Sequence, residues 1–265
     1  VSMDAGVVHG YNLASAPTTG AGGPGNQTTD AVAFNNRDRS RRDNNWDLTA
    51  LARYAAHAGL DIEFGFARKT RSPGLYEAYP WSAWQMAALM NNFVGDGNAY
   101  VGNPDLKPEK AHTLSATFDW HAADREWEFK ATPHYTHVTD YIDAVRCAAG
   151  MMGGCTGSYV PNPSTNTFLR LRYENQSARL YGLDLSGKMP LAKSGIGDLG
   201  LKGMLSYLRG KNRDSGDGLY NIMPLNAKLT LTQKSGNWDN ALEVVGVAAK
   251  NQVSDVRNEM KTSGY

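Results

Sequence analysis

Apolar residues alternate with polar or small residues in two stretches of the chain, 60–67 and 111–120. On one side of the first stretch lie Leu60, Ile62, Phe64 and Phe66. On one side of the second lie His112, Leu114, Ala116, Phe118 and Trp120. A period of two over such lengths predicts β-strands with one apolar and one polar face.

The remaining chain repeats this pattern, which predicts about nine or ten strands. Further strands are predicted over 46–55, 127–135, 168–175, 179–189, 199–207, 225–231 and 241–250, with a short one possible within 1–11. Short connections are predicted near 56–59, 121–125, 175–178, 191–198 and 234–238. Long ones are predicted near 72–108, 141–167 and 210–222. Apart from the connection at 175–178, short and long connections alternate, as in outer-membrane barrels.

Two sequence runs carry a resemblance to a known family. Arg-Ser-Pro at 71–73 is followed by Asn-Pro-Asp-Leu-Lys-Pro-Glu at 103–109, which leads into a strand. This combination resembles the barrel of TonB-dependent outer-membrane receptors. Tyr-Pro-Trp at 79–81 and Met-Asn-Asn-Phe-Val-Gly-Asp-Gly-Asn at 90–98 resemble the copper-receptor branch of that family.

The resemblance implies an all-β fold, an antiparallel transmembrane β-barrel of about 22 strands with a plug in its lumen. Residues 1–265 are then part of that barrel, with the plug domain and the terminal strands absent and the long connections extracellular. The resemblance also implies a location in the bacterial outer membrane, in contact with lipid and lipopolysaccharide. The implied partner is the TonB-ExbB-ExbD complex, which acts through the plug, and the implied activity is import of copper ions or a copper complex into the periplasm.

Composition agrees with a barrel. The net charge is +1, so the charge balance indicates no nucleic-acid partner. A mean hydropathy of −0.48 is typical of soluble proteins, but barrel strands expose only every second residue to lipid. The sequence shows no signal peptide and no run of about 20 apolar residues. Both ends read as interruptions of a longer chain, so we expect a fragment.

Methionines in the predicted long loops are candidate copper ligands. Met86 and Met90 are four residues apart, which places both thioethers on one face if this segment is a short helix. Met151 and Met152 lie near Cys147, and thioether and thiolate ligands suit Cu(I). The alternative is that these methionines pack the loops against the barrel mouth. In the copper-receptor branch, the resemblance implies a methionine-rich site shared with the plug.

The two cysteines, Cys147 and Cys155, lie in the second long loop. Export through the periplasm permits a disulfide, which is the favoured interpretation. A soft-metal site formed with Met151 and Met152 is the alternative, and it excludes the disulfide.

Aromatic residues in the first long loop support a second hypothesis, import of a ferric siderophore. The residues that could stack on such a ligand are Tyr76, Tyr79, Trp81 and Trp84. A soluble all-β binding module is the third hypothesis. No enzyme motif and no catalytic cofactor is indicated, and His134 and His137 point to opposite faces of a strand. The arginine-rich stretch 37–43 is interpreted as a charged rim, and the run 103–109 as architectural.

Overall fold

Long β-strands make up most of the structure. The computed structural model describes residues 1–8, 27–81, 94–147 and 169–265, with only the backbone at 27–30. The elements are β1 (Ser2–Asp4), α1 (Gln27–Asn35), β2 (Ser40–Arg42), β3 (Leu48–His57), β4 (Leu60–Arg71), α2 (Leu75–Ala78), β5 (Ala99–Val101), β6 (Glu109–His121), β7 (Glu128–Arg146), β8 (Arg170–Ser194), β9 (Gly197–Asn212), β10 (Asn226–Ser235) and β11 (Trp238–Val247). None of the helices in these ranges has the length and apolar content to cross a membrane.

Eight strands form one antiparallel meander in the order β11-β10-β9-β8-β7-β6-β4-β3. The short strand β5 pairs in parallel with β8, and β1 pairs with β2 in a separate two-stranded sheet. Because β3 and β11 are opposite edges of the meander, the described residues form an open section of a barrel wall. Such an up-and-down order, with each long strand beside the next one, is the topology of outer-membrane barrels.

The register places most of the large apolar side chains of the eight strands on one face. Phe64 of β4 lies opposite Ala52 on β3 and Ala116 on β6. At the far side of the sheet, Leu231 lies opposite Leu242. Many large apolar side chains on this outward face are solvent-exposed in the isolated chain, among them Phe64, Leu114, Phe129, Tyr135, Leu229, Leu242 and Val244. A sheet this apolar and this exposed is suited to contact with lipid.

The opposite face of the sheet is polar and forms side-chain ladders across the strands. Thr113 shares a hydrogen bond of 2.8 Å with Thr136, and Ser206 donates one of 2.6 Å to Asp184. Nearer the last strand, Lys228 forms an ion pair of 2.7 Å with Glu243. Opposite charges and hydroxyl pairs on directly opposed positions stabilise the pairing of neighbouring strands. This face is the polar lumen side of the wall.

Connections between the eight strands alternate strictly between short and long. Residues 58–59, 122–127, 195–196 and 236–237 connect strands at one end of the wall, which we call the short-turn end. The strand ends that flank residues 72–108, 147–169 and 213–225 lie at the other end of the wall, the long-loop end, as does Val247, the last residue of β11. The predicted connection at 175–178 is wrong, because Arg170–Ser194 is one strand of 25 residues. Without that connection, the short and long connections alternate with no exception.

The irregularity of β7 lies beyond the predicted position. A proline inside a strand donates no backbone hydrogen bond, so the sequence predicts a bulge at Pro133, but the register with β8 from Glu128 to Val138 is unbroken. The proline instead leaves a gap in the ladder to β6, since it lacks an N–H to donate. The register shifts between Val138 and Tyr141, where Asp140 has a φ of 56° and its carboxylate accepts a bond of 2.9 Å from Lys110.

The largest boundary difference is in β7, since the strand predicted at 127–135 extends to Arg146, into the long connection predicted near 141–167. Other boundaries differ by a few residues. The strand predicted at 46–55 is Leu48–His57, and β9 runs to Asn212, two residues into the loop predicted from 210. The stretch 14–30 is rich in Gly, Thr, Ala, Pro and Asn, which predicts a loop, but α1 begins at Gln27. The first long connection also contains α2 and β5, which period-two patterns did not indicate because both are very short.

Gly182 provides a test of the tight packing between β8 and β9. A Cβ atom at this position would overlap the backbone carbonyl of Tyr207 and lie 2.6 Å from His134 Nε2. We expect Gly182→Ala to destabilise the barrel by about 1–3 kcal/mol, since the strands must separate. Gly203→Ala is the control, because its Cβ would make an ordinary contact of 3.5 Å with Leu229. Denaturant unfolding in detergent measures both, and equal stability of the two variants would contradict the packing argument.

Candidate functional site

The two ends of the first long connection are joined to each other beside the barrel wall. The backbone N–H of Gly102 donates to the carbonyl of Pro80 at 2.7 Å, and that of Asn103 donates to Glu77 at 2.9 Å. A Cβ on Gly102 would lie 2.7 Å from the backbone of Ala78, so only glycine permits this approach. The segment 74–81 and the run 103–109 therefore form one unit.

Side chains of the run 103–109 and its neighbours fix this unit to the wall. Asn103 accepts a bond of 2.8 Å from Arg37 and donates one of 3.1 Å to Glu174 on β8. The backbone N–H of Lys107 donates to Asn175 at 2.7 Å, and Asn175 donates back to its carbonyl at 2.9 Å. These contacts give the run an architectural role, as the sequence predicted.

Arg257 is the centre of a buried polar cluster at the long-loop end. Its guanidinium donates to Asp143 on β7 at 2.8 Å and to the hydroxyl of Tyr100 on β5 at 2.9 Å. Its backbone carbonyl accepts a bond of 2.7 Å from Asn98. Arg257 is 7% exposed and Asp143 is also 7% exposed. One arginine thus connects the last segment of the chain to the wall and to the first long connection.

The third long connection joins the same cluster. Asn212, at the end of β9, donates to Asp143 at 3.0 Å and to Gln176 on β8 at 2.7 Å. Asp217 accepts bonds from the hydroxyl of Ser254 and from the backbone N–H of Val256, both at 2.9 Å. The segments 94–106, 212–220 and 254–259 consequently hold one another in place.

Burial and charge both act on the cluster. Burial raises the pKa of Tyr100, and the hydrogen bond to Asp96 raises it further, while the charge of Arg257 lowers it. Burial lowers the pKa of Arg257, but Tyr100 and Asp143 outweigh that effect and the pKa is raised. Tyr100 is therefore a neutral phenol and Arg257 a cation at physiological pH. The rings of Tyr100 and Tyr173 stack with centroids 5.1 Å apart. The guanidinium of Arg257 lies 5.3 Å from the centroid of the Tyr100 ring and 5.1 Å from that of the Tyr220 ring.

Chemically, this arrangement positions loops rather than transforms a substrate. The strongest groups, the Arg257 guanidinium and the Asp143 carboxylate, neutralise each other. Within the ranges that the structure describes, no group of three or more His, Cys, Asp or Glu residues could hold a metal ion. The cluster is a rigid base that presents the long connections at one end of the barrel.

The predicted metal ligands fall on residues whose structure is not described. Met86, Met90, Met151 and Met152 all lie outside the described residues, as do Trp84 and Cys155. Cys147 follows the last residue of β7 and is disulfide-bonded. Its pairing with Cys155 stays a prediction, and so do the methionine sites.

The aromatic residues predicted for ligand stacking have different environments. Tyr76 on α2 is half exposed, whereas Tyr79 and Trp81 are partly buried. The hydroxyl of Tyr79 donates to the carbonyl of Arg39 at 3.2 Å, so the polar end of this tyrosine is bound to the segment 37–43. In that rim, Arg41 and Asp43 form an ion pair of 3.0 Å, in keeping with a partly self-neutralised charged surface.

Sequence reasoning missed Tyr100, Asp143, Asn212 and Arg257. The positions are far apart in the chain, and only folding brings them together. One signal was available at Asp143, because a lone carboxylate among Ile142, Ala144 and Val145 requires a buried partner. Nothing in the sequence identifies Arg257 as that partner.

A family model described as "TonB dependent receptor-like, beta-barrel" matches residues 18–265. None of the curated protein sequences matches the chain.

Among the solved structures similar to this chain are a copper transporter, a ferric enterobactin receptor and an iron transporter. The copper transporter OprC superposes with a TM-score of 0.60 at 18% identity, over 83% of this chain and 29% of OprC. The ferric enterobactin receptor PfeA from Pseudomonas aeruginosa gives a TM-score of 0.56 at 18% identity, over 83% of this chain and 32% of PfeA. The FrpB iron transporter from Neisseria meningitidis gives 0.50 at 12% identity, over 83% and 31%. The chain spans less than a third of each.

Substitution of Arg257 tests the role of the cluster. Arg257→Met leaves the Asp143 carboxylate buried without its cation, which we expect to destabilise the long-loop end by about 3–5 kcal/mol. Limited proteolysis followed by mass spectrometry should show faster cleavage within 94–107 and 248–265. Adding Asp143→Asn should restore part of the protection. Arg125→Met is the control, since its ion pairs with Asp61 and Asp119 are exposed; equal cleavage of both single variants would contradict the role assigned to Arg257.

The predicted disulfide has its own test. Cys147→Ser/Cys155→Ser should make the segment 148–168 more sensitive to protease, because closing a short loop stabilises it by about 2–3 kcal/mol. Thiol titration of the unfolded, unreduced protein should find no free thiol. Two free thiols per chain would rule out the disulfide and favour the soft-metal alternative.

Proposed function

The chain belongs to the TonB-dependent receptor β-barrel family, and we propose that it forms part of the wall of a receptor that imports copper ions or a copper complex. The family consists of outer-membrane receptors and transporters, not enzymes, so the chain is a section of an outer-membrane barrel. That membership confirms the antiparallel barrel predicted from the alternating pattern, and it removes the soluble binding module from the hypotheses.

We place the long-loop end outside the cell and the short-turn end in the periplasm. Outer-membrane barrels have short periplasmic turns and longer extracellular loops. In this orientation, the segment 74–81 and the cluster around Arg257 face incoming ligand. The polar face of the sheet then lines a lumen, which we propose holds a plug domain contributed by another part of the receptor.

The main support for a transport function is that the long connections are bonded to one another at one end of a lipid-facing wall. A ligand-binding surface requires loops in defined positions, and here a buried ion pair and stacked tyrosines hold three of them. We propose that uptake is driven by TonB-ExbB-ExbD acting on the plug, as in other members of the family.

Copper is the proposed ligand because of the loop methionines. Thioethers of Met86, Met90, Met151 and Met152 are soft ligands that suit Cu(I) and bind ferric ions poorly. The likeness to OprC supports the fold alone, since structures of ferric siderophore receptors superpose almost as well. A ferric siderophore is the alternative ligand, favoured by the aromatic side chains of Tyr76, Tyr79, Trp81 and Trp84.

Copper titration of the complete detergent-solubilised receptor tests the proposal. Cu(I), kept reduced with ascorbate, should bind tightly, and Met86→Leu/Met90→Leu should weaken binding roughly tenfold or more, as loss of metal partners commonly does. Leucine conserves the volume and removes only the sulfur. Met189→Leu/Met204→Leu is the matched control, because these two methionines lie in strands β8 and β9.

Each result has a clear meaning. Tight binding that only the loop variant weakens supports copper import through the first long connection. Tight binding unaffected by either variant keeps copper as the ligand and moves its site to other residues, such as Met151 and Met152 or the plug. Absence of copper binding overturns the proposal and leaves the ferric siderophore in its place.

A further inference from the structure

A histidine and an aspartate lie close together on the polar face of the wall, away from both of its ends. His134 is on β7 and Asp184 is on the neighbouring strand β8, and His134 Nε2 lies 3.6 Å from Asp184 Oδ2. In the register, Asp184 is opposite Thr132 on one side and Ser206 on the other. Directly opposed residues of antiparallel strands project from the same face, so all these side chains border the lumen.

The separation of the two groups is too long for a direct bond. A hydrogen bond from nitrogen to oxygen is normally about 2.7–3.2 Å long. Lysines on the same face meet their carboxylates at such distances, since Lys130 and Glu128 are 2.9 Å apart and Lys228 and Glu243 are 2.7 Å apart. Two ligand atoms that each lie about 2.0–2.2 Å from one tetrahedral metal ion are separated by about 3.3–3.5 Å. The distance between His134 and Asp184 is close to this value.

Packing between strands holds the imidazole ring of His134 in place. The residue opposite His134 on β8 is Gly182, and a Cβ atom there would lie 2.6 Å from Nε2 and 2.8 Å from Cε1 of the ring. The glycine therefore leaves the space that the ring occupies. The side chain of His134 is 23% exposed, so it is held against the wall and still accessible from the lumen. A ligand whose position is fixed by packing is suited to binding.

A hydroxyl group on the next strand holds the carboxylate of Asp184. Ser206 Oγ donates a hydrogen bond of 2.6 Å to Asp184 Oδ1, whereas Oδ2 is the oxygen near His134. Hydrogen bonds of this kind orient carboxylates that bind metal ions. The side chain of Asp184 is 54% exposed, so an ion in the lumen can reach it.

The pair has the chemistry of a weak metal site. Imidazole nitrogen and carboxylate oxygen suit divalent ions such as Zn²⁺ and Cu²⁺ better than they suit Cu(I). Within the described part of the chain, no third His, Cys, Asp or Glu side chain completes a metal-binding group with these two. Water would therefore occupy the other coordination positions. Weak binding of this kind is what a transport path requires, because an ion must leave each site that it enters.

We propose that His134 and Asp184 form a weak binding site for a divalent transition-metal ion on the lumen face of the wall. The ion binds to His134 Nε2 and Asp184 Oδ2, and Ser206 positions the carboxylate. This site differs from the loop methionines in its ligand atoms and in the oxidation state of the metal that it binds. Its use as a step on the import path rests on the proposed function, whereas the binding itself does not.

Titration of the complete detergent-solubilised receptor with Cu²⁺ tests the site. Cu²⁺ is the probe because nitrogen and oxygen ligands bind it more tightly than the other divalent metals of its row. Electron paramagnetic resonance detects the imidazole nitrogen bound to it. His134→Gln should remove this nitrogen signal and weaken the binding of one Cu²⁺ by roughly tenfold to a hundredfold, since even the loss of an outer partner has such an effect. His137→Gln is the matched control, because this histidine is on the same strand and the opposite face, and it should leave the signal unchanged.

The carboxylate has its own variants. Asp184→Asn should weaken Cu²⁺ binding as His134→Gln does, because a neutral amide is a poorer ligand. Glu243→Gln is its control, since Glu243 is also on the lumen face and its partner is Lys228. Ser206→Ala should weaken binding roughly tenfold, because the carboxylate loses the hydrogen bond that orients it.

Unchanged Cu²⁺ binding by His134→Gln, or equal weakening by His134→Gln and His137→Gln, would overturn the proposal. The mobility of unheated protein on a denaturing gel checks that each variant folds. If His134→Gln does not fold, Asp184→Asn replaces it, and binding equal to that of Glu243→Gln then contradicts the site. Cu(I) binding in ascorbate separates this site from the loop methionines. His134→Gln should leave Cu(I) binding unchanged, and Met86→Leu/Met90→Leu should leave the Cu²⁺ nitrogen signal unchanged.

Discussion

A ladder of backbone hydrogen bonds across eight strands, interrupted only locally at Pro133 and at register shifts, is the constraint on which the rest of this structure depends. Lipid hydrocarbon offers no partner to a peptide N–H or carbonyl, so a wall inside it must satisfy those groups internally. Antiparallel neighbours do so, and the pleat then sends alternate side chains to opposite faces. One face can therefore be apolar while the other stays polar, without any helix or buried core.

The ladder also determines at which end of the wall the connecting loops can form a binding surface. Strands that run alternately up and down bring every second connection to the same end, and in this chain those connections are the long ones. β7 and β8, with 19 and 25 residues, extend beyond the length a membrane requires. The additional residues of these strands support β5 and the stacked pair of Tyr100 and Tyr173. They thus provide the base on which Arg257 joins three connections.

Charge is distributed over the wall in two distinct ways. On the lumen face, basic and acidic side chains are paired across strands, as at Lys228 and Glu243. On the lipid face, basic side chains lie near the long loops, as at Arg179 and Lys211, which are opposite each other. The pairs on the lumen face stabilise the association of neighbouring strands.

The sequence by itself determined the long strands and their faces, apart from the wrong connection at 175–178, because a period of two is a local property of neighbouring side chains. It also indicated the family, since the run 103–109 is a contiguous motif. It misplaced the irregularity of β7, because the neighbouring strands and Asp140 decide where the register shifts. Only the tertiary structure brought Asp143 to Arg257 and Asp184 to His134, because a hydrogen-bonded register relates residues that the chain separates by dozens of positions.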